Sequence, residues 1–150
     1  MKRHSLILDG PKLEESVNVR VRFSEVDSLG IVWHGNYLKY FEDAREAFGR
    51  KFGLGYLQVY EQGYAIPLID VQANFKKIVK YGDEILVKAI FQDSLAAKII
   101  FRFEIRDPKT NDLIAEGSST QIFIDRDSED LCLTLPDFYT NWKKKWGLIK

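Results

Sequence analysis

A single cysteine in 150 residues, Cys132, has no partner for an internal disulfide and cannot build a thiolate zinc site, so a reducing, cytoplasmic setting is expected. Histidine is almost as scarce. With only His4 and His34, a histidine-based metal cluster is hard to assemble, and no metal is expected. Net charge is missing too: 22 Lys plus Arg balance 22 Asp plus Glu. The balance is not made of opposed halves, since residues 1–75 hold 9 basic and 10 acidic side chains and residues 76–150 hold 13 and 12. That excludes a basic footprint for nucleic acid. Apolar runs are short. Leu6-Ile7-Leu8 stops at Asp9, too little for a signal-peptide core, and nothing approaches the roughly 18 apolar residues of a membrane-spanning helix. No Gly-x-Ser-x-Gly elbow, phosphate loop or dinucleotide fingerprint occurs. Repeats and Pro/Ser linkers are also absent, so one domain over residues 1–150 is expected, long enough to bury roughly 70% of its unfolded surface.

What is present is periodic. Val17, Val19, Val21 and Phe23 alternate with polar residues, which predicts a half-buried strand. Residues 24–36 have turn chemistry at both ends and no sustained period, as in an ordered loop. From Tyr37 the spacing changes: Tyr37, Phe41, Ala44, Phe48 and Phe52 line one face of a helix over about 36–52, with Asn36 as its N-cap and Gly53 and Gly55 as its stop. Segments 64–79, 84–92, 97–106 and 113–124 read as strands separated by Tyr81-Gly82-Asp83, Asp93-Ser94 and the turn from Asp107 to Asp112. Pro136-Asp137 then opens a terminal helix with Phe138, Trp142 and Trp146 at steps of four. One long helix against about five antiparallel strands is an α+β pattern, with the sheet curled around the helix.

Asp27 lies between the first strand and the start of the longest helix. The first N–H groups of a helix lack intrahelical acceptors and favour negative charge, so an acyl carbonyl placed there is polarised. A neighbouring carboxylate can attack that carbonyl or deprotonate a water. The alternative is that Asp27 only caps the turn Asp27-Ser28-Leu29-Gly30. His34 is either a hydrogen-bonding group for substrate or a structural residue before the helix. Trp33 and Tyr37 are either pocket walls or core. Gly117-Ser118-Ser119 falls in a strand, and Cys132 reads as a buried thiol. Glu42 and Glu46, with Arg50, read as a solvated ion-pair face. Lys76, Lys77 and Lys80 suit either phosphate binding or a lysine-guarded strand edge. Lys143-Lys144-Lys145 beside Trp142 and Trp146 suits a packed terminal helix, or contact with anionic lipid.

The ungapped order Asp27, Gly30-Ile31-Val32, His34, Asn36-Tyr37 and Phe41-Glu42-x-Ala44-Arg45 resembles the hotdog-fold acyl-CoA thioesterases of the 4-hydroxybenzoyl-CoA and Tol-Pal-associated type. Weaker echoes run through Pro67, Tyr81-Gly82-Asp83-Glu84-Ile85 and Asp125. The resemblance implies a five-stranded antiparallel sheet around one long helix, a homodimer that often pairs into a tetramer, and active sites between chains. It implies Asp27 as nucleophile or general base and a carbonyl held by the backbone N–H at His34. Gly30, Ile31, Val32, Trp33, Gly35, Asn36 and Tyr37 then surround the substrate. Coenzyme A enters as part of that substrate, with no other cofactor, and Lys76, Lys77 and Lys80 are candidates for its phosphates. Trp33-His34 mixes the two types, and Ser28-Leu29 replaces the small or proline residues usual there, which leaves the acyl group open. The rivals are a thioesterase acting on acyl carrier protein, a non-catalytic acyl-binding hotdog protein and a hydratase.

Overall fold

A computed structural model describes residues 11–149. The elements run β1 (Glu14–Arg20), α1 (Asn36–Phe52), α2 (Tyr56–Glu61), β2 (Tyr64–Ala65), β3 (Leu68–Phe75), β4 (Glu84–Gln92), β5 (Lys98–Arg106), β6 (Leu113–Ile122), β7 (Ile124–Asp125) and α3 (Asp137–Lys145). Five strands form an antiparallel sheet in the order β1-β4-β5-β6-β3, and β2 pairs with β7 separately. Short turns join β4, β5 and β6, as neighbouring antiparallel strands require.

Alternation in β4 and β5 decides which face is inside. Ile85, Val87, Ala89 and Phe91, then Ile99, Phe101, Phe103 and Ile105, are buried, while the residues between them are partly or fully exposed. α1 lays its predicted stripe on this face: Tyr37, Phe41, Ala44, Phe48 and Phe52 are all buried. Phe41 stacks on Phe103 at 4.6 Å, and Phe48 meets Phe101 edge-on at 4.9 Å. The helix can sit this low because β6 has a glycine beneath it. A Cβ on Gly117 would stand 2.6 Å from the Phe41 ring and 2.4 Å from the Gln72 carbonyl oxygen. α1 ends at Gly53, whose φ of 74° is left-handed and whose N–H bonds the Gly49 carbonyl.

Several boundaries differ from the sequence reading. β1 stops at Arg20, and Phe23 starts a 3-10 turn with its ring 77% exposed. The single segment expected over 64–79 is broken at Pro67, which cannot donate to a ladder. Asn36 is the first helical residue and not the cap: Gly35 holds that position, and the Asn36 amide is used elsewhere. α2, flanked by Gly55, is additional. Lys143 does not join a solvated basic run. Its ammonium is buried, 2.6 Å from the Asp93 carboxylate and 2.8 Å from the Ser94 carbonyl, and it ties α3 to the β4–β5 turn. Cys132 is only half-buried, and burial pushes its thiol upward. Among the described residues no helix is long and apolar enough to cross a membrane.

Gly117→Ala should drive a methyl into backbone and ring together. The expected cost is about 1–3 kcal/mol, seen as a fall of several degrees in the thermal unfolding midpoint.

Candidate active site

The loop between β1 and α1 is fixed by one residue with no motif of its own. The Glu25 carbonyl accepts both the Trp33 N–H (3.0 Å) and the Asn36 side-chain amide (2.8 Å). Its carboxylate accepts the Arg22 N–H at 2.8 Å and the Tyr40 hydroxyl at 3.2 Å. Tyr40 is fully buried, and that burial, with Glu25 beside it, drives its phenol far above the usual range. Two bridges, Val26 to Val32 and Ile31 to Lys80, complete the seat. The loop is therefore clamped to the helix from inside.

Asp27 stands at the loop's turn. Its N–H bonds the Ile31 carbonyl, its own carbonyl accepts from Gly30, and Oδ1 caps the Leu29 N–H at 2.8 Å. Gly30 takes a φ of 76°, a left-handed value that suits glycine. The turn-capping role is thus real, yet it occupies one oxygen. Oδ2 accepts nothing among the described residues, and the side chain is exposed.

A cleft of about 230 Å³ opens beside the start of α1, lined by Ile31, Val32, His34 and Tyr37 on one side and by Phe75 to Val79 on the other. Tyr37 packs against Phe75 at 4.8 Å, so the far end of β3 becomes a wall. Burial raises the Tyr37 phenol, and apart from His34, Lys76 and Lys77 the lining is apolar or aromatic. α1 has no side-chain cap, and among the described residues the backbone N–H groups of His34 and Gly35 donate to no acceptor. These donors, with the helix dipole, can hold a carbonyl oxygen as it gains charge.

The structure brings Ile31, Val32, His34, Tyr37, Lys76 and Lys77 around one cleft. Asp27, Gly30, Trp33, Gly35, Asn36 and Lys80 are not in its lining: Asp27 and Gly30 form the adjoining turn, while Asn36 is turned inward to Glu25. Trp33 is exposed, with its ring tilted against His34 at 4.8 Å, so it is not core, whereas Tyr37 is. Lys77 bonds Asp112 at 2.8 Å and Lys76 lies 3.9 Å from Glu116, both at the surface, where such pairs exchange readily. Sequence reasoning missed Glu25, Tyr40 and Phe75. Tyr40 alone carried a signal, three residues after Tyr37 on the buried side. A larger polar cleft of about 660 Å³ lies between β1 and the far side of α1, but its Arg20 and Arg50 are already paired with Glu84 and Glu46.

A helix cradled by a five-stranded antiparallel sheet, with an uncapped helix start and a carboxylate in the preceding turn, defines the hotdog class of thioester-processing folds. The comparisons agree. The model of the thioesterase-like superfamily matches residues 21–142, and the chain belongs to that superfamily. A candidate acyl-CoA thioesterase of Bacillus subtilis is 29% identical over 129 residues, covering 84% of this chain and 93% of that one. A chloroplast acyl-acyl carrier protein thioesterase of Arabidopsis thaliana is 27% identical over 109 residues, 73% of this chain and 57% of the other. Among solved structures, a DHNA-CoA thioesterase of Staphylococcus aureus superposes with a TM-score of 0.76 at 27% identity, over 88% of this chain and 90% of that one.

Tyr40→Phe removes one of the four bonds on Glu25 without changing the core shape. Stability should fall by about 1 kcal/mol. Hydrogen exchange at the Trp33 amide should accelerate while amides in the middle of α1 stay protected, as measured by NMR.

Proposed function

We propose that this chain hydrolyses an acyl-CoA thioester to the free acid and coenzyme A. The observation that carries the reading is the free backbone donor at His34, which lines the cleft, beside that of its neighbour Gly35, one short turn from a carboxylate with an unused oxygen. The thioester carbonyl sits at those N–H groups. Asp27 takes a proton from a water as that water adds to the carbonyl carbon, or attacks the carbon itself to give an acyl-aspartyl anhydride that a water then hydrolyses to free acid and the regenerated carboxylate. In either route the carbon–sulfur bond breaks, and the thiolate leaves and is protonated. His34 contributes its backbone N–H, and its ring, packed at a tilt against Trp33, shields the approach. Gly30, Ile31, Val32, Gly35, Asn36 and Tyr37 shape the loop and cleft in this scheme. Lys76 and Lys77, whose surface partners a phosphate can displace, and Lys80 are the candidates for the phosphates of the coenzyme.

We further infer a homodimer that completes the site, with pairing of dimers into a tetramer as its extension. β3 is an unpaired sheet edge whose Leu68, Ile69 and Phe75 are about half exposed, an apolar edge of the kind that proteins cover. The whole chain is read as one such hotdog unit. Hydrolysis on acyl carrier protein is the second reading, supported by the plant relative.

Asp27→Asn should preserve the fold and lower kcat by roughly two to four powers of ten, measured as free thiol released from a panel of acyl-CoA thioesters. Near-normal turnover by that variant would remove Asp27 from the chemistry. Presenting one acyl group on both carriers separates the two readings.

A further inference from the structure

The three tryptophans are used differently. Trp142 and Trp146 both donate their indole N–H groups to the Phe52 carbonyl, at 2.7 and 3.1 Å, and lock α3 to the end of α1. Trp33 stands at the opposite end of α1, 51% exposed, and among the described residues its indole N–H donates to nothing. Neither core packing nor a polar bond accounts for its place.

Its backbone is held on both sides. The Trp33 N–H donates to the Glu25 carbonyl at 3.0 Å, and the Trp33 carbonyl accepts the Asn36 N–H at 2.9 Å. The second bond closes a turn over residues 33–36, and the indole folds back onto Gly35. A Cβ at position 35 would stand 2.1, 2.5 and 2.7 Å from three carbons of the six-membered ring, its nearest neighbours. Gly35 has a φ of −65° and a ψ of −22°, values open to every L-residue. Glycine is therefore required here for space, and the Trp33 ring is what takes that space.

The consequence falls on the donor pair. Gly35, under the ring, is half-buried, and its N–H and that of His34 have no acceptor among the described residues. The cleft is lined by His34 but not by Trp33, so the indole covers a part of the helix start that the cleft walls do not. Water reaching this pair competes with a carbonyl oxygen for both donors. Donors shielded from water hold developing negative charge more strongly.

We propose that Trp33 is a positioning residue for thioester hydrolysis, acting through Gly35: its indole keeps solvent from the backbone donors that hold the carbonyl oxygen. The proposal rests on the thioester-hydrolase reading and adds a residue that governs turnover. Because the oxygen gains its charge only in the transition state, the ring acts on kcat and leaves KM nearly alone.

The test uses Trp33→Ala, which removes the ring, Gly35→Ala, whose methyl evicts it, and the double variant. The ring is at the surface and the backbone at position 35 suits alanine, so all three should fold, as thermal unfolding checks. NMR measures exchange of the Gly35 amide with water. In the wild type that exchange should be at least about tenfold slower than in a free peptide, and both single variants should bring it close to the free rate. With decanoyl-CoA and benzoyl-CoA as substrates, each single variant should lower kcat by about ten- to a hundredfold while KM changes less than about threefold. The double variant should match Trp33→Ala, since the new methyl then meets no ring. A purely structural role would move the unfolding midpoint without this split between kcat and KM. Free-rate exchange at Gly35 in the wild type, a normal kcat in Trp33→Ala, or additive losses in the double variant overturn the proposal. A wild type that releases no thiol from either substrate overturns hydrolysis instead, while the exchange rates still decide whether the indole shields the donors.

Discussion

The depth at which α1 sits in the sheet governs everything else in this fold. With any side chain at position 117, Phe41 could not lie on the backbone of β6, and the helix would ride higher on Phe101 and Phe103. At the observed depth its N-terminus emerges level with the end of β3, so Tyr37 meets Phe75 and a cleft forms between them. Aromatic packing in the core thus sets the position of backbone donors at the surface.

The loop that carries Asp27 is positioned by a different means. Glu25 gathers donors from its own turn, from Trp33 three residues before the helix and from the first two turns of α1. Most of this node is shielded from water, where hydrogen bonds are stronger and unpaired groups cost more. The same folding event that seats Tyr40 therefore also orders Asp27. A carboxylate on an otherwise mobile loop would lose much of the advantage that fixed geometry gives to a reacting group.

The sequence displayed α1 clearly because its five stripe residues keep a 3.6-residue period and end at a glycine with left-handed φ. β4, β5 and β6 were legible through alternation, within two residues of their ends. The first strand was read too far, because Phe23 continues the alternation of Val17, Val19 and Val21 while the chain has already turned. α2 is a six-residue segment near glycines, too short to establish a period. Asp27 could be placed in the turn between β1 and α1 from order alone. Glu25, Phe75 and the buried Lys143 could not, since their roles come from residues far away in sequence: Tyr40 and Asn36, Tyr37, and Asp93.

The two edges of the sheet are built to opposite ends. β1 presents Glu14, Glu15 and Arg20, with Lys88 and Glu84 from β4 answering two of them, and the charges keep that edge compatible with water. β3 presents Leu68, Ile69 and Phe75 where α1 does not reach. A chain with no net charge has no strong global field, so the character of each edge is set by its own side chains. Burying the β3 edge would satisfy its free backbone groups and remove the apolar side chains from water in one step. The strand that forms this apolar edge also supplies Phe75 to the wall of the cleft, so a charge introduced on β3 would perturb the edge and the cleft together.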